Sequence, residues 1–266
     1  MNLYEHQAKE CFAQYEIPVP KGMVIRDESA LQEALNMIGD ANFGVDKAQV
    51  LTGGRGKAGG IKIVDSLTQA REAVQAIMDM KIKGLTVEKV LIEERLDIKN
   101  EYFISITINP EALLPALLIS SKGGMDIEEI AKRFPAAIGR YLVQPKNGLP
   151  SFAVTELAKN LEFHHALWGE LVDIAHKLYK AFCEKEATLI EINPLIETKG
   201  GKLVAADGRL NVDDNALLRH PELSQLKKEF KEMVLKDKGV DYIDLGEGEV
   251  GLLCVGAGMT MLTMDL

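Results

Sequence analysis

Residues 44–78 read as strand, glycine-rich loop, strand and helix, and this order constrains the fold more than any other feature. Residues 44–50 and 61–64 carry the β-branched alternation of strands. Between them lies the loop QVLTGGRGKAGG, and Leu67–Met78 returns to helix through Ala70, Val74 and Ile77. Helical periods alternate with short β-branched runs along the rest of the chain as well. A mixed α/β (α+β) fold with helices packed on sheets is therefore expected.

Residues 3–15 and 29–38 read as helices, the second with Ser29 as candidate N-cap and Gly39 as its stop. Segments 90–93, 102–108 and 113–120 read as strands of one antiparallel sheet, with Asn109 and Pro110 turning between the last two. The longest helix is expected at 161–183, on a stripe of Leu167, Leu171, Ile174, Leu178 and Ala181, with His164, His165 and His176 along it. A strand at 187–192 leads into a hairpin over 195–207 that turns at Gly200 and Gly201. The charged stretch 227–238 reads as a solvated helix face. Residues 250–255, followed by Gly256, Ala257 and Gly258, read as the first strand and turn of a second α/β domain.

With 47% hydrophobic and 27% charged residues the chain falls among ordinary globular proteins, not disordered ones. Its 266 residues suffice for one large or two smaller domains. A net charge of -9 without a long basic cluster argues against nucleic acid as a partner. Cys11, Cys183 and Cys254 form no CxxC pair, so neither zinc nor a disulfide framework is indicated, and a reducing cytoplasm fits. No apolar run reaches the roughly 18 residues of a membrane span, and the first ten residues lack the plan of a signal peptide.

The loop glycines Gly53, Gly54, Gly56, Gly59 and Gly60 allow backbone N–H groups to approach phosphate oxygens, and Arg55 and Lys57 add charge. The loop matches neither the Walker pattern nor GxGxxG, so a plain structural turn is an equal reading of it alone. Lys47 shares a strand face with Val45 and Gln49 and can point at whatever the loop holds, although a surface lysine is the simpler reading in isolation. Asn193 and Asp207 flank the hairpin and offer the hard oxygens that magnesium takes. A two-residue hairpin would send them to opposite faces. Sharing one metal requires a loop of three or five residues, or a bulge near Pro194. No Cys, Asp or Glu accompanies the histidines at ligand spacing, so all read as surface or core-edge residues.

The opening MNLYEHQAK, the loop GGRGKAGG, KGGMDIEEIA, EINPLIETKGGKLVAADGRLNVDDNAL and the closing VGAGMTMLTMD resemble, in order, the β subunit of succinyl-CoA synthetase, a ligase of the tricarboxylic acid cycle. The resemblance implies an ATP-grasp fold of two subdomains over residues 1–240, and over 241–266 the start of a flavodoxin-like domain. It also implies that Lys47 and the turn Gly54, Arg55, Gly56 contact the phosphates of ATP or GTP. Glu93 and Leu96 would lie at the hinge near the base, Glu101 at the ribose, and Asn193 and Asp207 on Mg2+. Glu191, with Arg55, would serve the chemistry, facing a phosphohistidine on a separate α subunit that also binds CoA.

The implied reaction joins a carboxylic acid to CoA at the expense of a nucleoside triphosphate. Two departures stand out. Asp46 precedes Lys47 where the family carries an apolar residue, and family β subunits continue beyond the position of Leu266. Strand alternation turns Asp46 away from the nucleotide, with Gly44, Ala48 and Val50. If that side is buried, the carboxylate needs a partner or a raised pKa. A β subunit for another acid, such as malate, and a non-catalytic nucleotide-binding subunit remain the alternatives.

Overall fold

The computed structural model describes residues 1–39, 44–51, 55–56, 58–227 and 251–264. The chain divides into two units, Met1–His220 and Pro221–Leu266. Gly54, Lys57, the expected boundary at 240/241 and nearly all of the stretch 227–238 lie outside the described residues.

In chain order the first unit begins with α1 (Glu5–Gln14), β1 (Gly22–Ile25), α2 (Leu31–Ile38), β2 (Gly44–Ala48), β3 (Ile61–Ile63) and α3 (Leu67–Met78). A short hairpin of β4 (Lys81–Ile82) and β5 (Leu85–Thr86) precedes β6 (Val90–Glu94), β7 (Ile98–Asn109) and β8 (Leu114–Ser120). Then come α4 (Ile127–Arg133), β9 (Ile138–Leu142), α5 (Ser151–Asn160), α6 (Trp168–Glu184), β10 (Ala187–Thr198), β11 (Leu203–Ala205) and β12 (Gly208–Val212).

These strands make two larger antiparallel sheets. One has the order β1-β6-β2-β3, and the other β11-β10-β7-β8-β9 with β12 also pairing β10. Helices α2 and α3 cover one face of the four-stranded sheet, where Leu31, Ala34, Val74, Ile77 and Ile92 share a core. The stripe expected on α3 is the one buried, and Ser66 caps the helix by accepting from Gln69 N at 3.2 Å. Burying the α3 stripe makes β2 two-sided, since alternate residues must face either the helices or the opposite side.

Several expectations are corrected. The segment 90–93 belongs with β1 and β2, not with β7 and β8, because residues 95–97 carry the chain from one sheet to the other. An apolar run shows that a strand is buried but not which sheet buries it. The helix expected at 161–183 begins only at Trp168, after a break in which Glu162 takes φ 59°. His164 and His165 therefore precede it and only His176 lies on it. The cap near residue 29 is Asp27, which accepts from Ser29 N at 2.9 Å to start a short 3-10 turn before α2.

In the second unit, residues 251–254 take no regular structure and the helix Ala257–Met264 follows. The strand expected there has no ladder partner among the described residues, and a strand is stabilised through its neighbour. No described helix is long and apolar enough to cross a membrane.

Candidate functional site

Three elements bring charge together on the face of β2 opposite α2 and α3. β2 supplies Lys47, the glycine-rich loop supplies Arg55, and α1 supplies Glu5 in its first turn and Lys9 one turn later. Residues 1–3 fasten α1 in place. The Met1 amino group donates to Val212 O at 2.6 Å, and Leu3 N donates to Leu210 O at 3.0 Å.

Lys47 Nζ contacts Glu5 Oε1 at 3.1 Å, Glu93 Oε2 at 2.8 Å and the carbonyl of Ala206 at 2.7 Å. Arg55 Nη1 donates to Glu5, while Nη2 meets both oxygens of Asp207 at 2.9 and 2.8 Å. Lys9 closes the chain, at 2.9 Å from Glu5 and 2.6 Å from Glu93. Glu5, Lys9, Lys47, Arg55 and Glu93 are all buried.

Burial opposes ionisation of the Glu5 carboxyl, but Lys47, Lys9 and Arg55 together hold it well below the usual carboxylate range. The same reciprocity raises Lys47 and Arg55 against the effect of burial, through Glu5 with Glu93 and through Glu5 with Asp207 respectively. The Asp207 carboxyl is pushed up by burial and by Glu5, with Arg55 and Lys47 working against that.

A cleft of about 320 Å³ opens beside this cluster, lined among others by Glu5, Arg55, Glu191, Asn193, Asp207 and Arg209. The hairpin delivers its last members. Leu195, Ile196 and Glu197 pair with Ala205, Val204 and Leu203, and Thr198 N donates to Lys202 O at 2.8 Å, which leaves a three-residue loop, 199–201, with Gly201 at φ 74°. In that register Asn193 lies opposite Asp207, its N–H donating to the Asp207 carbonyl at 3.2 Å. Directly opposed residues share a face. The condition for a shared metal is thus met, and the ladder with β7 also shifts between Ile192 and Leu195.

Two hard oxygen groups lining one cleft suit magnesium, which is usually held by one or two protein groups together with substrate phosphates. No cluster of three or more His, Cys, Asp or Glu able to hold a metal occurs among the described residues. In this structure Asn193 Oδ1 accepts from Gly124 N at 2.9 Å, and Asp207 is held by Arg55. Glu191 faces Arg209 across the β10–β12 ladder. Burial raises its carboxyl, Arg209 opposes this, and Asp207 and Glu128 add to it.

The remaining expected residues sit as follows. Glu93, expected at the hinge beside the base, turns its carboxylate into the ionic cluster. Leu96 lies half-buried in the connection between the two sheets. Glu101 is exposed on β7 with its carboxylate against Gly124, where a side-chain carbon would fall 2.3 Å from Oε2. None of the five histidines lines the cleft.

Glu5, Lys9 and Arg209 are the charged residues that sequence reading passed over. Glu5 and Lys9 are spaced i,i+4, which on most helices marks a solvated pair. Here they lie on a buried side.

Gly208, next to Asp207, has a steric reason to be glycine. A side-chain carbon there would stand 2.3 Å from Cε2 of the fully buried Phe12 ring on α1. Gly208→Ala is expected to destabilise the fold by about 1–3 kcal/mol through overpacking. Urea titration checks this, and a change below about 0.5 kcal/mol would mean that α1 is free to yield at this point.

A family model for the ATP-grasp domain matches residues 2–197. The chain is 41% identical, over its whole length and 71% of the relative, to the succinate–CoA ligase [ADP-forming] subunit beta of Bacteroides thetaiotaomicron. It is 40% identical, over its whole length and 70% of the relative, to the succinate–CoA ligase [GDP-forming] subunit beta of Thermus thermophilus.

Among solved structures, the Ca. Korarchaeum cryptofilum dinucleotide forming acetyl-coenzyme A synthetase 1, in complex with coenzyme A, Ca-AMPCP and HgCl+, shares the fold. It has a TM-score of 0.64 at 19% identity, over 80% of this chain and 93% of that one. ATP citrate lyase from Methanothrix soehngenii, in complex with citrate and coenzyme A, gives 0.65 at 19% over 82% and 52%. The motifs of the loop and hairpin, the two-sheet architecture and the identity over the whole chain agree: this chain belongs to the succinate–CoA ligase β-subunit family and carries its ATP-grasp domain.

Proposed function

We propose that this chain binds a magnesium nucleoside triphosphate or diphosphate in the cleft and serves nucleoside-diphosphate-forming ligation of succinate to CoA. The carrying observation is that Arg55, Asn193 and Asp207 line one cleft, with buried Lys47 bound to Glu5, which also lines it, and to the carbonyl of Ala206 next to Asp207. In this reading Lys47 and the Gly54, Arg55, Gly56 turn take the phosphates, and Asn193 and Asp207 hold Mg2+. Magnesium, when bound, supplies charge neutralisation on the phosphate oxygens.

Phosphoryl transfer asks mainly for positioning and electrostatic stabilisation, which Lys47 and Arg55 provide as charge-assisted donors. Glu93 keeps Lys47 oriented on the side of the 95–97 connection, where Leu96 flanks the base, and Glu101 takes the ribose. Glu191 faces an incoming phosphohistidine of an α subunit, which also brings CoA. A cytoplasmic location agrees with the three free cysteines.

Titration calorimetry with ATP and with GTP tests the reading, since relatives of both ADP- and GDP-forming name match at similar identity. Magnesium-dependent binding is expected, weakened about tenfold or more in Asp207→Ala through loss of a metal ligand. Binding of neither nucleotide, or equal affinity with and without magnesium, would refute it.

A further inference from the structure

Both phosphate-directed cations are already engaged by carboxylates. An ammonium group has three N–H donors, and the three contacts of Lys47, to Glu5, Glu93 and the Ala206 carbonyl, engage all of them. Arg55 spends Nη1 on Glu5 and Nη2 on Asp207. The three carboxylates Glu5, Glu93 and Asp207 balance the three cations Lys9, Lys47 and Arg55, so the cluster is neutral and gives an anion little electrostatic reason to enter.

Of the three carboxylates only Glu5 touches both Lys47 and Arg55, one through each oxygen. It is 4% exposed yet lines the cleft. Two further groups already hold it, Lys9 at 2.9 Å and Gln49 Nε2 at 3.3 Å.

Resting on the nucleotide reading above, we propose that Glu5 sits in the place that phosphate oxygens take on Lys47 and Arg55, so that nucleotide enters by anion exchange. Phosphate displaces the Glu5 carboxylate from Lys47 and Arg55. The carboxylate stays satisfied on Lys9 and Gln49, so no buried charge is stranded. Arg55, drawn to phosphate, releases Asp207 at the point where a metal needs its oxygens. Glu5 is thus a positioning residue: it keeps the strand cation and the loop cation side by side, and its departure sets the affinity for phosphate.

Calorimetry with magnesium-free ADP and with Mg-ADP, on the full chain and the variants Glu5→Asp and Glu5→Gln, tests the exchange. Glu5→Asp keeps the charge but withdraws the carboxylate by one methylene, and is expected to bind ADP about threefold more tightly. Glu5→Gln, which removes the charged competitor, is expected to bind about tenfold more tightly. Both variants should melt lower than the wild type without ligand and gain more from it.

A general effect of removing negative charge would tighten binding in Glu5→Gln alone, and a purely structural or orienting role would weaken binding in both. Either result overturns the exchange. If Glu5→Gln does not fold, Glu5→Asp decides alone. Wild-type binding without tightening in Glu5→Asp refutes the exchange and leaves the nucleotide reading standing. Failure of the wild type to bind removes both.

Discussion

Asp46→Val is expected to raise the melting temperature by on the order of 10 °C at pH 8, by less than half as much at pH 5, and to leave nucleotide affinity unchanged. Asp46 is fully buried on the helix-facing side of β2, and neither carboxylate oxygen has a hydrogen-bond partner. Its strand neighbours in register are Ile92 on β6 and Lys62 on β3. Burial pushes its pKa up to about 7, with the Lys62 charge opposing.

A carboxyl whose pKa is higher in the folded than in the unfolded state stabilises the fold relatively at low pH. That advantage is lost as pH rises from the unfolded value of 3.8 through about 7. The full penalty at pH 8 is on the order of 4 kcal/mol. Valine is close in volume, favours strands and asks for no partner. Lys47 points the other way, so the face proposed to take phosphate is untouched. Melting curves at the two pH values decide, and a difference independent of pH would mean that Asp46 is paired in solution.

Lys47→Met is expected to cost about 3–5 kcal/mol and to remove measurable nucleotide binding. Methionine matches the length of the chain but leaves Glu5 and Glu93 without one of their shared cations in a buried site. In the wild type the Glu5 carboxyl is depressed, so its contribution is present above the unfolded pKa and is lost as pH falls through the folded one. With Lys47 gone the depression shrinks. The stability gap between wild type and variant should therefore narrow as pH falls towards 4. Urea titrations at pH 7.5 and 4.5 measure the gap; a constant gap, or one below 1 kcal/mol, would mean that Lys9 and Arg55 suffice as counter-ions.

Much of the local structure was legible because it is local. The α3 stripe, the β2 alternation and the glycine-rich connection all follow from short-range periodicity and turn chemistry. The alternation on β2 also separates Asp46 from Lys47 correctly. The break at 161–167 was not legible, since Glu162 rather than a glycine takes the positive φ there.

The membership of β6 in the first sheet depends on partners far away in sequence, which a run of Val, Leu and Ile does not name. At the site, the opposition of Asn193 and Asp207 could be posed as a condition on loop length, and the register meets it. The carboxylates that hold the cations could not be posed, because Glu5 and Lys9 carry the spacing of a surface pair and only packing buries them.

The way α1 is anchored bears on the order in which the protein is made. Residues 1–3 bond to Leu210 and Val212, and Glu5 waits in turn for Lys47, Arg55 and Glu93 before Asp207 completes the set. At roughly 5–20 residues per second of synthesis, the opening segment emerges about 10–40 s before its β12 partner. During that interval the four-stranded sheet can assemble, but its charged face has no finished neighbour. Such long loop closures are slow and expose strand edges. Formation of the cleft is therefore a late event on the nascent chain, set by the arrival of residues 207–212.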